Sequence, residues 1–337
     1  MPKGLLELSG TIDLTQFWPT TESDADTVKV VAAGTNAFRF TVHPGAPSQI
    51  THAFEGATVR GKVSKLAIDK DRVTIRLQGI DAPELHYRPT APKPHTGQWT
   101  ATQKAGFKAA NGNFRQFFGE TASVALHDFL AKAGPTPIAC VVRTAVDEPG
   151  EVFDTYGRLV GDIFVTIGGQ EQNANHWLCA NGWAFPTFYS SMTAQEITDL
   201  VTLSEKARTS KAGIWRKATA DLSQFDRTMI FRNHGTPDPA KDAGPVFLPK
   251  FFRRRSTYGV ARLAKMVTGS FKAYLHAEPD ACFETADFLS QGLTAATPRH
   301  LDEFVTAASK FTVGAKDLVF QEGASRVVDA NGKPVQW

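Results

Sequence analysis

Three short stretches place carboxylates and arginines at spacings that could do chemistry. Residues 23–29 read Ser-Asp-Ala-Asp-Thr-Val-Lys, with Asp26 near the middle of an acidic turn. Arg76 is followed, after four residues, by Asp81-Ala82-Pro83-Glu84. The third stretch is Asp154-Thr155-Tyr156-Gly157-Arg158. Carboxylate oxygens are hard donors that suit Ca²⁺ or Mg²⁺. An arginine fork matches two oxygens of an anion and does not deprotonate. Each stretch also has a plain structural reading. Asp-x-Asp-Thr is a common turn, Asp-Ala-Pro can stop a strand, and Tyr-Gly-Arg can end a hairpin. Glu84 could be a surface carboxylate, and Arg158 could pair with Asp154 or Asp162.

The elements around these residues follow from periodicity. In Arg72–Ile80, Val73, Ile75 and Leu77 alternate with Thr74, Arg76 and Gln78, which predicts a strand with Arg76 on the face opposite the apolar side chains. Arg76 is then either a solvated arginine on a half-buried sheet or one aimed into a cleft. Residues 86–118 are rich in Pro, Gly, Thr and Asn and read as a long loop with a short helix near Ala101–Ala110. Helical spacing runs from Gly119 to Ala133, a strand pair spans 137–165, and a short helix covers about Gln172–Asn181. Thr193 and Glu196 form a capping box that opens a helix over Thr193–Lys211. The order predicts an α+β chain, a small β-barrel with packed helices, rather than a βαβ sheet. Past Arg216, helices are expected near Ala261–Ala277, Glu284–Leu289 and Pro298–Ser309, with a terminal hairpin over Leu318–Val335 turning at Asn331-Gly332.

Taken together and in this order, the three stretches resemble the staphylococcal nuclease (thermonuclease) family. That family carries a D-G-D-T turn, an R-x4-D-T/A-P-E strand and exit, and a Y-G-R strand start. The segment Asn175–Tyr189 is similar to the family's second helix and exit, and Thr193–Trp215 to its last helix with the closing Gly-Ile-Trp. The resemblance implies a small OB-fold-like barrel with three packed helices over about residues 10–216, with insertions at about 31–65 and 86–118, followed by a mixed C-terminal extension, 217–337. It implies Asp26, Asp81 and the Ala82 carbonyl as ligands of one Ca²⁺. It implies Glu84 as the group that orients or deprotonates the attacking water, Arg76 and Arg158 as a phosphate clamp, and Tyr156 as a substrate contact. Hydrolysis of DNA or RNA to 3′-phosphorylated ends is the implied activity. A non-catalytic nucleic-acid-binding or scaffold module on the same fold is the alternative.

The chain departs from the family in places. Forty-nine residues separate Asp26 from Arg76. The flanking Asp-Ala-Asp-Thr-Val-Lys selects Asp26 over a second turn, Glu55-Gly56-Ala57-Thr58, where Ala57 would replace the carboxylate. Thr155 stands where short members often have lysine. The family's stacking tyrosines have no clear match; Phe188 is nearest and Tyr189 is offset by one. Among the nine histidines no H-x3-H or H-E-x2-H spacing occurs, and His234, beside Asn233, lacks the frame of a His–Asn nuclease.

Charge is unevenly placed. Residues 1–216 hold 21 basic and 21 acidic side chains, and the net +3 comes from the extension. No acid occurs from Ala243 to Ala277, a window with seven lysines and arginines in which Phe251, Phe252 and Tyr258 interleave with Arg253, Arg254 and Arg255. Rings and cations so mixed either line a single-stranded nucleic-acid groove or form a helix face packed through its phenylalanines. The extension could also regulate the barrel by covering its cleft. Near-neutral charge excludes a histone-like polycation. Three scattered cysteines indicate no zinc knuckle and fit a reducing compartment or unpaired core thiols better than a disulfide scaffold. No signal peptide or membrane span is read, so the expected location is cytoplasmic, or secreted if a leader has been removed.

Overall fold

The computed structural model describes residues 4–21, 23–34, 37–42, 45, 48–49, 58–59, 66–94, 97–231, 242–278, 280–322, 327–329 and 331–333. His234 and the Glu55–Ala57 turn lie outside the described residues. The chain forms two compact units. Unit 1 comprises Met1–Gln78, Val124–Leu178 and Gly323–Trp337; unit 2 comprises Gly79–Ser123 and Cys179–Glu322.

Unit 1 is built on a closed five-strand barrel. Its strands are β1 (Gly4–Ile12), β2 (Thr27–Ala32), β3 (Arg72–Leu77), β4 (Ile138–Val146) and β5 (Leu159–Ile167). β1 pairs antiparallel with β2, β2 with β3, and β3 runs parallel to β5. β5 pairs antiparallel with β4, and β4 returns to β1 over all nine residues, Gly4↔Val146 to Ile12↔Ile138. The ring therefore leaves none of these five strands with an open edge. Alternation fills its interior: β1 buries every second residue, and Val28, Val30, Val73, Ile75, Leu77, Val142 and Ile163 are at most 1% exposed. Burial of each such side chain contributes about 1.5–3 kcal/mol. Asn175 fastens the parallel β3–β5 junction. Its Nδ2 donates to the carbonyls of Gln78 (3.0 Å) and Gly161 (3.2 Å) and to Asp162 Oδ1 (2.6 Å), while its Oδ1 accepts from the Ile163 amide.

The expected helices appear as α1 (Ala101–Ala110), α2 (Gly119–Ala131), α3 (Ala174–Ala180) and α4 (Ala194–Thr209), the last with the Thr193–Glu196 capping box formed. Among the described residues no helix is long and apolar enough to cross a membrane.

Beyond Arg216 the elements differ from expectation. The helix expected at Ala261–Ala277 is two, α5 (Pro249–Leu263) and α6 (Phe271–Ala277), followed by α7 (Thr285–Gln291). The helix expected at Pro298–Ser309 is a short strand, Arg299–His300, and a 3₁₀ turn, Leu301–Phe304. Before the turn of the expected hairpin, Leu318–Phe320 runs parallel to Phe188–Tyr189 and antiparallel to Ala281–Glu284, and Val327–Val328 pairs with Thr58–Val59; the arm after the turn lies, past Lys333, outside the described residues. The Asn331-Gly332 turn itself is present, closed by the Gly332 amide on the Asp329 carbonyl, with Gly332 at φ +76°.

Unit 2 has its own core. Phe107, Phe114, Phe118, Phe185 and Ile214 share it with Leu222, Val246, Phe251, Phe252, Tyr258, Phe271, Phe311 and Phe320. Phe251 stacks on Phe311 with ring centroids 3.7 Å apart. Residues before and after Arg216 thus bury one continuous apolar cluster.

Candidate functional site

In unit 1, Asp26 ends the turn before β2 and is 6% exposed. The β2–β3 register sets Thr27 opposite Arg76, so the turn carboxylate meets the strand arginine across the ladder. Arg76 Nη1 lies 3.0 Å from Asp26 Oδ2 and 3.3 Å from the Asp26 carbonyl. Arg76 is therefore neither solvated nor lone; its side chain is 12% exposed and ion-paired. Thr58–Val59, next to the alternative turn, pairs with Val327–Val328 and not with β3.

Tyr156 and Arg158 sit on the turn into β5. Asp154 organises it: its Oδ1 accepts from the amides of Tyr156 (2.8 Å) and Arg158 (2.9 Å), and its Oδ2 accepts from Arg158 Nε (2.8 Å) and Nη2 (2.7 Å). Gly157 takes φ +80°, a conformation that favours glycine. Of the two partners open to Arg158 in the sequence, the structure selects Asp154. Arg158 Nη1 also reaches Thr27 Oγ1 at 3.4 Å, and Thr27 donates to Asp26 Oδ1 at 3.2 Å. Asp26, Arg76 and Arg158 thus converge on Thr27. Tyr156 stays 71% exposed beneath the Arg158 guanidinium.

Unit 2 holds Asp81, Ala82 and Glu84. Ile80–Asp81 pairs antiparallel with Phe185–Pro186, and the Thr187 amide donates to the Gly79 carbonyl. Gly79 has φ +72°, and a Cβ there would lie 2.4 Å from Leu200 Cδ1, so the corner before Asp81 requires glycine. The Glu84 carbonyl accepts from the Gln116 amide (2.7 Å), and Gln116 Oε1 accepts from the Phe247 amide (2.9 Å). The stretch is buried, with Asp81 0%, Ala82 1% and Glu84 8% exposed.

A buried carboxylate pair demands a cation, and α5 supplies one. Arg253 Nη2 donates to Asp81 Oδ2 at 2.8 Å and Nη1 to Asp81 Oδ1 at 3.2 Å; Nη1 also donates to Glu84 Oε1. Burial works against the charge on Arg253, yet Asp81 and Glu84 outweigh it and hold its pKa well above the ordinary value. α5 starts with Pro249 at its first turn and buries Phe251, Phe252, Ser256, Tyr258, Val260 and Ala261, leaving Arg253 and Arg254 on its other side. Arg254 is held by Asp280 at 2.5 and 2.6 Å. The packed-face reading of the window thus holds for Phe251, Phe252 and Tyr258, which are 2%, 2% and 6% exposed.

The donor set bears on the expected calcium. Ca²⁺ takes roughly six to eight oxygens at about 2.3–2.6 Å. Three of the four carboxylate oxygens of Asp81 and Glu84 already accept from Arg253. Among the described residues, no group of three His, Cys, Asp or Glu side chains is placed to hold a metal ion. As arranged, these residues do not fit the ion. Phe188, nearest to the family's stacking positions, is fully buried beside Leu318–Phe320 and offers no ring to a substrate.

Arg253 was missed in the sequence because its partners lie 169 and 172 residues away. The available signal was the acid-free run of arginines at 253–255.

Residues 74–217 match the staphylococcal nuclease homologue family. The matched segment contains Arg76, Asp81, Ala82, Glu84, Tyr156 and Arg158; Asp26 and Arg253 lie outside it. No curated protein matches the chain. The matched segment spans the barrel strands from Thr74 onward and α1 to α4, and the segment after residue 217 has no counterpart in the match.

Proposed function

We propose that the nuclease-homologue domain hydrolyses phosphodiester bonds of DNA or RNA and leaves 3′-phosphorylated ends. The observation that carries this reading is the retention, inside the matched segment, of two arginines and two carboxylates of the type such a reaction uses. Arg76 and Arg158 are each oriented by an aspartate. Both guanidiniums serve as clamps for phosphate oxygens, whose charge grows in the transition state. Glu84 is the general base for the attacking water. Tyr156, exposed at the β5 turn, contacts a sugar or phosphate.

A second reading is favoured by one observation. Glu84 is ion-paired with Arg253, an arrangement that suits a module that binds nucleic acid without cutting it. Incubation of labelled single-stranded DNA and RNA with the protein, in Ca²⁺, in EDTA and with Glu84→Gln, separates the two. Cleavage lost in Glu84→Gln is the result expected of a hydrolase. Binding without cleavage in every condition supports the second reading and rejects the first.

A further inference from the structure

Two carboxylates in a matched nuclease segment are held by an arginine from outside that segment. The pairing is built rather than incidental. α5 is fixed by Phe251 stacked on Phe311 and by Phe252 and Val260 in the unit 2 core, so the Cα of Arg253 cannot withdraw without opening that core. The guanidinium meets both oxygens of Asp81 and one of Glu84, the fork geometry that a lysine ammonium cannot reproduce. Being tethered, it also competes with any dissolved cation at high effective concentration.

We propose that Arg253 takes the place of a divalent cation at Asp81 and Glu84, so that guanidinium and metal ion exclude one another there. The inference rests on the hydrolase reading for its purpose but not for its geometry. Its side chain is 28% exposed, so the exchange needs only a change of side-chain rotamer and not movement of α5.

The test is calorimetric titration of the full chain with Ca²⁺ alone, comparing wild type, Arg253→Gln and Arg253→Lys. Removing a unit charge beside two buried carboxylates makes Arg253→Gln bind Ca²⁺ at least about tenfold more tightly than wild type. Arg253→Lys, which keeps the charge but cannot span both carboxylates, falls between. The gain disappears in Arg253→Gln/Glu84→Gln. A parallel melt keeps the test valid if the glutamine variant is fragile: Ca²⁺ raises the unfolding temperature of the lysine variant more than that of wild type. Equal affinity in all three proteins, or no binding in any, overturns the proposal. Tighter Ca²⁺ binding without cleavage rejects the hydrolase reading and leaves the Arg253 assignment standing; cleavage with unaltered Ca²⁺ affinity does the reverse.

An independent observation carries a second site. A cavity of about 730 Å³ in unit 2 is lined by Arg227, Arg255, Arg262 and Lys265 with Phe225 and Tyr258, and its lining contains no acid. Arg255 packs over the rings of Phe225 (5.3 Å) and Tyr258 (5.4 Å), and its buried Nε has no hydrogen-bond partner. Four cations around a cavity without a counter-charge call for an anion, and the rings beside them suit a base. We infer that this cavity takes a phosphate of single-stranded nucleic acid. Fluorescence anisotropy with a labelled oligodeoxynucleotide, and inorganic tripolyphosphate as competitor, tests it in Arg227→Gln and Lys265→Gln, both exposed and outside the core. Each substitution lowers the salt slope of binding by about one. An unchanged slope overturns the assignment; tripolyphosphate binding that depends on these residues without oligonucleotide binding shows a free phosphate site and overturns the nucleic-acid source.

Discussion

The two arginine–carboxylate clusters differ in where their cations come from. In unit 1, Arg76 meets Asp26 across one β-ladder, and Arg158 meets Asp154 four residues earlier on the same turn. In unit 2, Asp81 and Glu84 meet Arg253 from a helix more than 160 residues on. Local ladders and turns set the first cluster, so it is available to any chain that forms the barrel. The second exists only because α5 is seated in the unit 2 core. A family match confined to residues 74–217 therefore covers carboxylates whose partner it does not include.

The largest expected effect comes from removing that partner's support altogether. A chain ending at Arg216 loses Val246, Phe251, Phe252, Phe271, Phe311 and Phe320 from the core that buries Phe114, Phe118 and Phe185. Near-UV circular dichroism should show no fixed aromatic packing for unit 2, and a native-like aromatic signal would mean that the extension is dispensable. Next, Asp81→Ala leaves Arg253 facing Glu84 alone and costs about 3–5 kcal/mol in urea unfolding. Asp26→Ala costs less, because Arg76 keeps the carbonyls of Asp26 (3.3 Å) and Leu77 (3.5 Å). Equal losses would erase the difference between the clusters. On the proposed hydrolase reading, Arg76→Gln lowers the cleavage rate by about 10²–10³-fold, the scale for removing one oriented donor from developing charge.

Burial of a paired carboxylate predicts a pH effect in unit 2. Glu120 is fully buried, and that burial raises its pKa from 4.5 to about 7 despite Arg115 at 2.5 Å. The folded state holds this proton more tightly than the unfolded chain. The stability it contributes is present below pH 4.5 and is lost as pH rises through about 7. That loss amounts to about 3 kcal/mol, and Glu120→Gln flattens it in unfolding experiments across the same range. Smallest of all, Tyr156→Ala, at a side chain 71% exposed, changes stability by less than about 0.5 kcal/mol and, on the proposed hydrolase reading, raises KM.

What the sequence disclosed follows the same division. Period-two alternation placed β3, the capping box placed α4, and the Asp-x-Asp-Thr, Asp-Ala-Pro-Glu and Tyr-Gly-Arg stretches located seven candidate residues. These are short-range signals. α5 gave a weak helical pattern because Gly259, Thr257 and three successive arginines dilute its apolar period; packing of Phe251 and Phe252 decides it. Pro249 at its first position was the usable cue. Leu318–Phe320 and Val327–Val328, within the segment expected as a terminal hairpin, are strands, but their partners, Phe188–Tyr189 and Thr58–Val59, lie far away in the chain. The ion pair of Asp26 with Arg76, 49 residues apart, was not legible, because only the β2–β3 register brings the turn to the strand arginine.

The central claim is that Arg253 is the energetic partner of the Asp81 carboxylate. A double-mutant cycle of Asp81→Asn and Arg253→Gln, read by urea unfolding of the full chain, tests it most directly. A paired, buried contact predicts a coupling energy of at least about 1.5 kcal/mol. Additive losses, with coupling near zero, would contradict the account.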